Sequence, residues 1–453
     1  MDLHKFWTPI WNAFDPFEAV QPDQMDRWFV ERPHSPLARL KADLSPESTP
    51  IRALLFGHRS SGKTTELTKL AADLASTNPN YFVVWLDADA NLANLNRVTP
   101  PDILFLMGMA LYKMASDFLP HKPDEELLQV MEESLETLVK EHKSGREVQI
   151  RWKELLDQLV CFAATLAGGA VAGPIGAFIG GQTVRKVSEF LGFDSTLTVE
   201  ELRRREITEP RLRDLLAALN LLISRVSAEN DVKVVFLVDN LERISDPDQA
   251  MYLFAESSEW LGSIACRAIY TMPLHLYFSP IFSHVSASFP CYPFASIRVH
   301  APHVGPDVPG EADEAGYKVM RQVVRKRLAA PPLRLNPGEI IIAEALDVLV
   351  YGSAGIMRDM VALMRYAARE AELTEQSRIG EEVAWEAVYA RRRDLSAALN
   401  VVYRQELQSV LKTHAAPTAT EEGATLLYGN YVVSYHNDDL WYDVHTAILP
   451  LLK

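Results

Sequence analysis

One short stretch near the start of the chain has the residue types that bind a phosphate group. It matches the pattern GxxxxGK[ST] and consists of Gly57, His58, Arg59, Ser60, Ser61, Gly62, Lys63 and Thr64. Glycines let the backbone wrap closely around an anion, so that successive N–H groups and a helix N-terminus face it. The lysine then reaches the outer phosphates, and the Thr64 hydroxyl ligates Mg²⁺. We therefore predict that this P-loop, with the adjacent Thr65, binds a nucleotide and Mg²⁺. The chain has no guanine-specifying NKxD motif, which favours ATP.

An acidic residue at the end of a second apolar strand is the expected partner of this loop. The run from Lys233 to Val238 ends at Asp239, which we predict to hold Mg²⁺ together with Thr64 as a Walker B residue. Many ATPases place a carboxylate next, but this chain has Asn240, whose amide cannot take a proton from water. Glu242 is the nearest carboxylate that can replace the missing one and polarise the attacking water. The alternative interpretation is that Glu242 is a solvated helix residue. Lys63, Asp239 and Glu242 are thus the predicted catalytic residues, and we expect hydrolysis to be slow.

Two further residues are candidate contacts of the nucleotide phosphates. Thr271 ends another strand, where a polar sensor of the γ-phosphate is expected, although a β-branched strand residue is the alternative. Arg358 opens a later helix, and we predict that it reaches the phosphates from a lid. The alternative interpretation is an exposed helix residue. No Arg or Lys lies between Pro273 and Ile297, where ring-forming motors commonly carry an arginine finger. A constitutive ring motor is therefore disfavoured.

The elements that must position these residues alternate between strand and helix. Apolar runs predict strands at 51–56, 81–86, 232–238 and 267–272, with a fifth at 296–301. Such alternation is typical of an α/β fold with a parallel, helix-covered sheet. We predict four parts: a lead-in (1–45), a P-loop core (46–305) with a mainly helical insertion (90–230), a helical lid (306–400) and a winged-helix-like module (401–453).

The order of these pieces resembles a known group of proteins. The segments FGHRSSGKTTEL, VVFLVDNLERI, IYTMPL and SAGIMRDM resemble, jointly, bacterial STAND and KAP-type P-loop ATPases near the ORC-like branch of AAA+. The resemblance covers roughly residues 30–400. It implies ATP-gated switching, frequently in antiviral defence, and KAP-type proteins insert membrane segments between their two Walker motifs. The chain departs from the common pattern at Ser61, where glycine is frequent, and at Asn240.

A glycine-rich insertion raises the question of a membrane. No charged residue occurs from Gln158 to Val184, a length above the roughly 20 residues that span a bilayer. The P-loop and Asp239 must meet on one side, so any crossings must be even in number, and two arms folded at Gly173-Pro174 are short for spanning. A re-entrant or interfacial hairpin (158–184), or one released on activation, fits better. The alternative is a soluble helical hairpin.

Composition limits the partners and the compartment. Asp and Glu number 60 against 45 Lys and Arg, giving a net charge of −15, which argues against a protein that coats nucleic acid. In residues 401–453 acidic residues outnumber basic ones by six to three, which favours a protein partner or self-association over DNA. Three cysteines without CxxC spacing fit a reducing compartment. We expect a cytoplasmic protein, peripheral or re-entrant at the inner membrane.

Three functions compete at this point. The first is an ATP-gated switch, with the hairpin 158–184 as a membrane-acting output in antiviral defence. The second is an ORC-like, DNA-associated ATPase, and the third is a nucleotide-stabilised scaffold with little turnover, which Asn240 motivates.

Overall fold

The structure is a computed structural model, and it describes residues 3–18, 20, 24–45, 48–76, 81–92, 94–124, 126–127, 130–131, 209–436 and 439–453. The predicted hairpin 158–184 and most of the predicted insertion lie outside the described residues. Within the described part, no helix is both long enough and apolar enough to cross a membrane.

A parallel sheet forms the centre of the molecule. Its strands are β1 (Arg52–Phe56), β2 (Tyr81–Asp87), β3 (Lys233–Asp239), β4 (Arg267–Met272) and β5 (Cys291–Pro293). They lie side by side in the order β2–β3–β4–β1–β5, and every pairing is parallel. The strands are almost continuously apolar because helices cover both faces of the sheet. The sheet therefore matches the predicted α/β class.

Helices before and within the core carry the chain between these strands. They are α1 (Leu3–Ala13), α2 (Met25–Trp28), α3 (Leu37–Asp43), α4 (Lys63–Ala75), α5 (Ala88–Asn91), α6 (Pro100–Phe118), α7 (Glu209–Asn230), α8 (Pro247–Met251), α9 (Ser258–Gly262), α10 (Leu274–Tyr277) and α11 (Phe282–Ser288). A 3₁₀ turn at Leu241–Arg243 follows β3, and a π-helical turn at Tyr252–Glu256 separates α8 from α9. Helix α6 is buried on nearly every side, which explains why its sequence is apolar all round.

The C-terminal third is helical and ends in a hairpin. Its helices are α12 (Glu314–Ala329), α13 (Pro337–Ile340), α14 (Ala343–Gly352), α15 (Met357–Leu373), α16 (Glu381–Ser396), α17 (Val401–Thr413) and α18 (Glu421–Tyr428). Strands β6 (Val432–His436) and β7 (Leu440–Val444) pair antiparallel after α18. We call residues 401–453 the C-terminal module, and its two helices and hairpin agree with a winged-helix-like arrangement.

The predicted fifth strand was wrong in its position. The segment 296–301 is not a strand that joins the sheet; only His300 in it forms an isolated bridge, with Ala312. The sheet edge is instead Cys291–Pro293, a shorter run beside β1. The apolar alternation after residue 295 comes from other contacts, since the Ser296 N–H donates to Ser434 O and the Ile297 N–H to Gly355 O.

Candidate nucleotide-binding site

The P-loop connects β1 to α4, and its glycines have distinct physical roles. Gly62 has φ of +102°, a left-handed conformation that disfavours any side chain. At Gly57 an added Cβ would lie 2.0 Å from the carbonyl oxygen of Phe294, so only glycine fits there. Ser60 is also left-handed, with φ of +72°. The loop thus has the tight, curled backbone that the sequence pattern predicts.

Lys63 is folded back onto its own loop. Its ammonium donates to the carbonyl oxygens of His58 (2.7 Å) and Gly57 (3.1 Å), and lies 3.4 Å from a carboxylate oxygen of Glu242. The side chain is buried. A bound phosphate would offer this ammonium a stronger, charged acceptor than the two carbonyls. Lys63 is therefore placed to exchange loop contacts for phosphate contacts.

Thr64 and Asp239 meet at the carboxyl end of β3. The Thr64 hydroxyl donates to Oδ2 of Asp239 at 2.6 Å, while the buried Oδ1 has no hydrogen-bond partner within the described residues. Burial, and then the nearby Glu242 carboxylate, raises the pKa of Asp239. A hydroxyl beside a buried carboxylate with a free oxygen is a donor set that suits Mg²⁺, which prefers oxygen ligands. These residues fit the predicted metal pair.

Glu242 lies in the site, although it comes three positions after Asp239, where the Walker B strand ends. Asn240 adopts φ of +65°, which asparagine tolerates, and the 3₁₀ turn that follows returns Glu242 to Lys63. The Glu242 side chain is only 8% exposed, so it is not the solvated helix residue of the alternative interpretation. Burial acts to raise its pKa, but Lys63 and the Thr271 hydroxyl outweigh burial and lower it. Glu242 is therefore an ionised carboxylate.

Thr271 and Arg358 occupy different positions relative to the site. Thr271 is buried, and its hydroxyl oxygen accepts the Leu241 N–H at 3.0 Å, so it supports the turn that carries Glu242. It does not line the cavity described next. Arg358 does line it, and its backbone N–H donates to the carbonyl of Ser60 at 3.2 Å.

A cavity of about 220 Å³ lies over the P-loop. Loop residues form its floor, α12 and α15 contribute Arg327, Met357, Arg358 and Val361, and Asp87 and Arg243 line it from the sheet side. Three cations, Arg59, Arg243 and Arg358, act on one another across it, and burial is the main reason that the pKa of Arg358 is lowered. The concentration of guanidinium groups around a P-loop is suited to a polyphosphate.

Sequence reasoning missed the contribution of the N-terminal lead-in. Residues Asp15–Glu18 and Val20 line the cavity, and Phe17 is 84% exposed at that wall. Farther along, the half-buried Arg32 donates to the Ser61 carbonyl at 3.0 Å and stacks on the ring of Phe294 at 4.2 Å. Aromatic residues crowded into a short segment were the available signal, because such residues need a surface to pack against.

The second P-loop residue contacts the C-terminal module. The Ser434 N–H donates to Nε2 of His58 at 2.7 Å, and Nδ1 of His58 lies 3.3 Å from the carbonyl oxygen of Leu427. Next to it, Arg59 donates to the Tyr428 hydroxyl at 2.9 Å, and the Asn430 amide donates to the Arg59 carbonyl at 3.3 Å. The P-loop and the module therefore form one interface through their backbones and side chains.

A buried histidine cluster beside the hairpin does not have the geometry of a metal centre. His300, His303 and Asp443 offer potential ligand atoms within 4.8 Å of one another. The two imidazole rings are stacked, however, with centroids 4.0 Å apart and planes 14° apart. A metal lies close to the plane of each imidazole that binds it, so stacked rings cannot share one ion. Nδ1 of His303 also accepts the Gly310 N–H.

No protein-family model and no curated protein matches the chain. Similar structures include Drosophila ORC bound to DNA, at 12% identity and a TM-score of 0.37, covering 98% of this chain and 91% of that one. The Aeropyrum pernix ORC1 protein in complex with DNA has 13% identity and a TM-score of 0.39, covering 98% and 95%. The Walker-type ATPase of Pyrococcus abyssi has 12% identity and a TM-score of 0.41, covering 97% and 99%.

The core is identified by its own geometry. A parallel sheet, a P-loop between β1 and α4, and an acidic residue at the end of β3 that contacts Thr64 occur together. The core therefore has the fold of a P-loop NTPase.

Proposed function

We propose that this protein is an ATP-dependent switch, in which nucleotide on the P-loop competes with docking of the C-terminal module. The hydrogen bond from the Ser434 N–H to Nε2 of His58 carries the proposal. It links the hairpin directly to the loop that would hold the phosphates. The deepest part of the interface and the nucleotide site therefore share one residue.

His58 has a defined protonation state at this interface. It is fully buried, and burial, followed by the Lys63 charge, lowers its pKa to about 3, so the ring is neutral at pH 7. Because an N–H donates to Nε2, that nitrogen carries the lone pair and the proton resides on Nδ1. Nδ1 then donates to the Leu427 carbonyl. One neutral imidazole thus bridges a strand and a helix of the module.

Lys63 couples this bridge to the phosphates. Its ammonium donates to the backbone carbonyl of His58, the residue whose side chain accepts the Ser434 N–H. Moving the ammonium to a phosphate removes the charged donor to the His58 carbonyl and leaves it with the Ser61 hydroxyl and N–H, so the loop is held less firmly. We expect the shift to weaken the His58–Ser434 contact, so that ATP binding releases the module.

A second buried contact ties the module to the lid. Nε2 of His445 lies 3.0 Å from Oδ2 of Asp359, and Arg391 donates to the same oxygen at 2.8 Å. The Ala447 N–H donates to Nδ1 of His445, so Nε2 carries the proton. Asp359 directly follows Arg358 of the cavity wall. Release of the module therefore requires that both the P-loop and the lid contacts open.

Turnover would return the switch to its docked form. When bound, Mg²⁺ would supply charge neutralisation for the phosphates, with Thr64 and Asp239 as its protein ligands. The ionised Glu242 can accept a hydrogen bond from the attacking water and orient it. The absence of a carboxylate at residue 240 leaves Glu242 as the proposed residue for this role.

The proposed setting extends beyond the described residues. Because its motifs occur in the order described above, we propose a STAND- or KAP-type switch in bacterial antiviral defence, with segment 158–184 acting on a membrane. Vesicle flotation with and without ATP, beside a variant lacking residues 159–181, tests the membrane part. A DNA-associated ATPase is the second candidate, because the motif order also resembles the ORC-like branch. A DNA affinity that falls steeply with salt would favour it.

Amide hydrogen exchange tests the switch itself. The Ser434 N–H reports docking because its partner is His58. We expect Mg²⁺ with a non-hydrolysable ATP analogue to accelerate exchange in the peptide 430–436. Lys63→Ala should abolish this response, while Lys69→Ala, a charge loss farther along α4, should keep it. Unchanged exchange in a protein shown to bind the analogue would overturn the proposal.

A further inference from the structure

A larger cavity separates the core from the C-terminal module. Its volume is about 670 Å³, within the range of small-molecule sites. The core forms one wall with residues 245–248, 251, 275, 276 and 278–280, and the module forms the other with residues 418–421, 424, 425, 427 and 428. The P-loop, Asp239 and Glu242 do not line it, so it is distinct from the nucleotide cavity.

The lining of this cavity carries negative charge without a basic counterpart. Its carboxylates are Asp246, Asp248 and Glu421, and no Lys or Arg occurs among the described lining residues. His275 adds no charge at pH 7, because burial lowers its pKa to about 4. Asp248 and Glu421 are exposed, so their charge is available to a ligand.

The remaining lining residues suit an aliphatic chain that bears polar groups. Phe278 and Tyr428 contribute aromatic rings to the lining, and the Arg59 guanidinium lies over one face of the Tyr428 ring, 5.3 Å from its centroid. Phe278 is held in an edge contact with Tyr442, with ring centroids 5.2 Å apart. Nε2 of His275, a residue of this wall, is a buried atom with no hydrogen-bond partner in the described part of the chain.

We propose that this cavity binds a small organic cation of the polyamine class, with ammonium groups on an aliphatic chain. The ammonium groups would pair with Asp248 and Glu421, and the chain would lie against Phe278 and Tyr428. Cavity volume and charge complementarity together carry this choice. A peptide bearing arginine is the competing occupant.

The cavity is mechanically linked to the P-loop through α18. Leu427 and Tyr428 line the cavity, and the same two residues contact His58 and Arg59. A cation that bridges the two walls would therefore favour the docked module. This coupling rests on the proposed switch, whereas the binding site itself does not. By linkage, ATP would weaken cation binding by the same factor as the cation weakens ATP binding.

Calorimetric titration of the full chain with spermidine tests the site. Without nucleotide, we expect one saturable site, weakened at least tenfold by Asp248→Asn with Glu421→Gln. Glu422→Gln is the matched control, because it removes a neighbouring exposed charge that does not line the cavity. It should change the affinity less than twofold. Circular dichroism and thermal unfolding of each variant establish that it folds.

Three results would overturn the site. The first is the absence of saturable binding of spermidine. The second is an equal loss of affinity in the Glu422→Gln control, which would indicate diffuse attraction to a chain of charge −15. The third is binding of a tetra-arginine peptide but not of spermidine. Repeating the titration with the ATP analogue separates the two claims. Unchanged spermidine affinity with bound analogue would refute the coupling and leave the site intact.

Discussion

His58→Ala is the sharpest perturbation of the interface between the P-loop and the module. It removes the acceptor of the Ser434 N–H and the donor to the Leu427 carbonyl. Both partner residues are buried, so each loses a hydrogen bond that water cannot immediately replace. An unsatisfied buried polar group costs roughly 1–3 kcal/mol. Because two such groups lose their partner and 1.4 kcal/mol is a factor of ten, docking should weaken by at least about 25-fold.

Amide exchange without nucleotide measures this loss. Within the peptide 430–436, the protection factor of the Ser434 amide should fall by the same factor as docking, because its N–H donates to His58, whereas the Asn430 and Tyr431 amides bond within the module. His284→Ala is the control, since His284 is exposed on α11 and should leave the peptide unchanged. Equal protection in wild type and His58→Ala, in a variant with native thermal unfolding, would refute the reasoning about this contact.

Further predictions concern the nucleotide site and the lid. Lys63→Ala should weaken ATP binding at least about tenfold by equilibrium titration, because a buried charge-assisted contact is lost, whereas Lys69→Ala should have little effect. Glu242→Gln should lower the steady-state ATPase rate roughly 100-fold or more while ATP still binds; an unchanged rate would exclude Glu242 from catalysis. Gly355→Ala should lower the free energy of unfolding by at least about 2 kcal/mol, since φ is +71° and the new Cβ would lie 1.8 Å from the Ile297 carbonyl. In thermal denaturation Gly338→Ala, whose nearest contact is at 3.6 Å, should be nearly neutral.

The sheet and the P-loop were predictable because local rules determine them. Apolar runs flanked by helical patterns predicted β1 to β4, and the glycine spacing predicted the loop. Strand β5 was placed several residues too late because Cys291–Pro293 is too short to produce a pattern. It is a strand because the backbone of β1 lies beside it. Tertiary pairing, which no local window contains, determined that edge.

The site shows the same division between local and tertiary information. Thr64 and Asp239 follow from their motifs, whereas the location of Glu242 depends on the left-handed backbone at Asn240. Thr271 was predicted at the phosphates but supports the turn at Leu241, because a strand end can face either the cavity or the next turn. The contact between His58 and Ser434 spans most of the chain and leaves no local signal.

The affinity for ATP of a variant with weakened docking tests the central claim most directly. His445→Ala removes the hydrogen bond to Asp359 without touching the P-loop. If ATP and the docked module compete, weaker docking must strengthen ATP binding by linkage. For the loss of one buried hydrogen bond to a carboxylate, we predict that the Kd for Mg²⁺ and the non-hydrolysable analogue falls by about 5-fold or more. An unchanged or higher Kd in a folded variant would contradict the account.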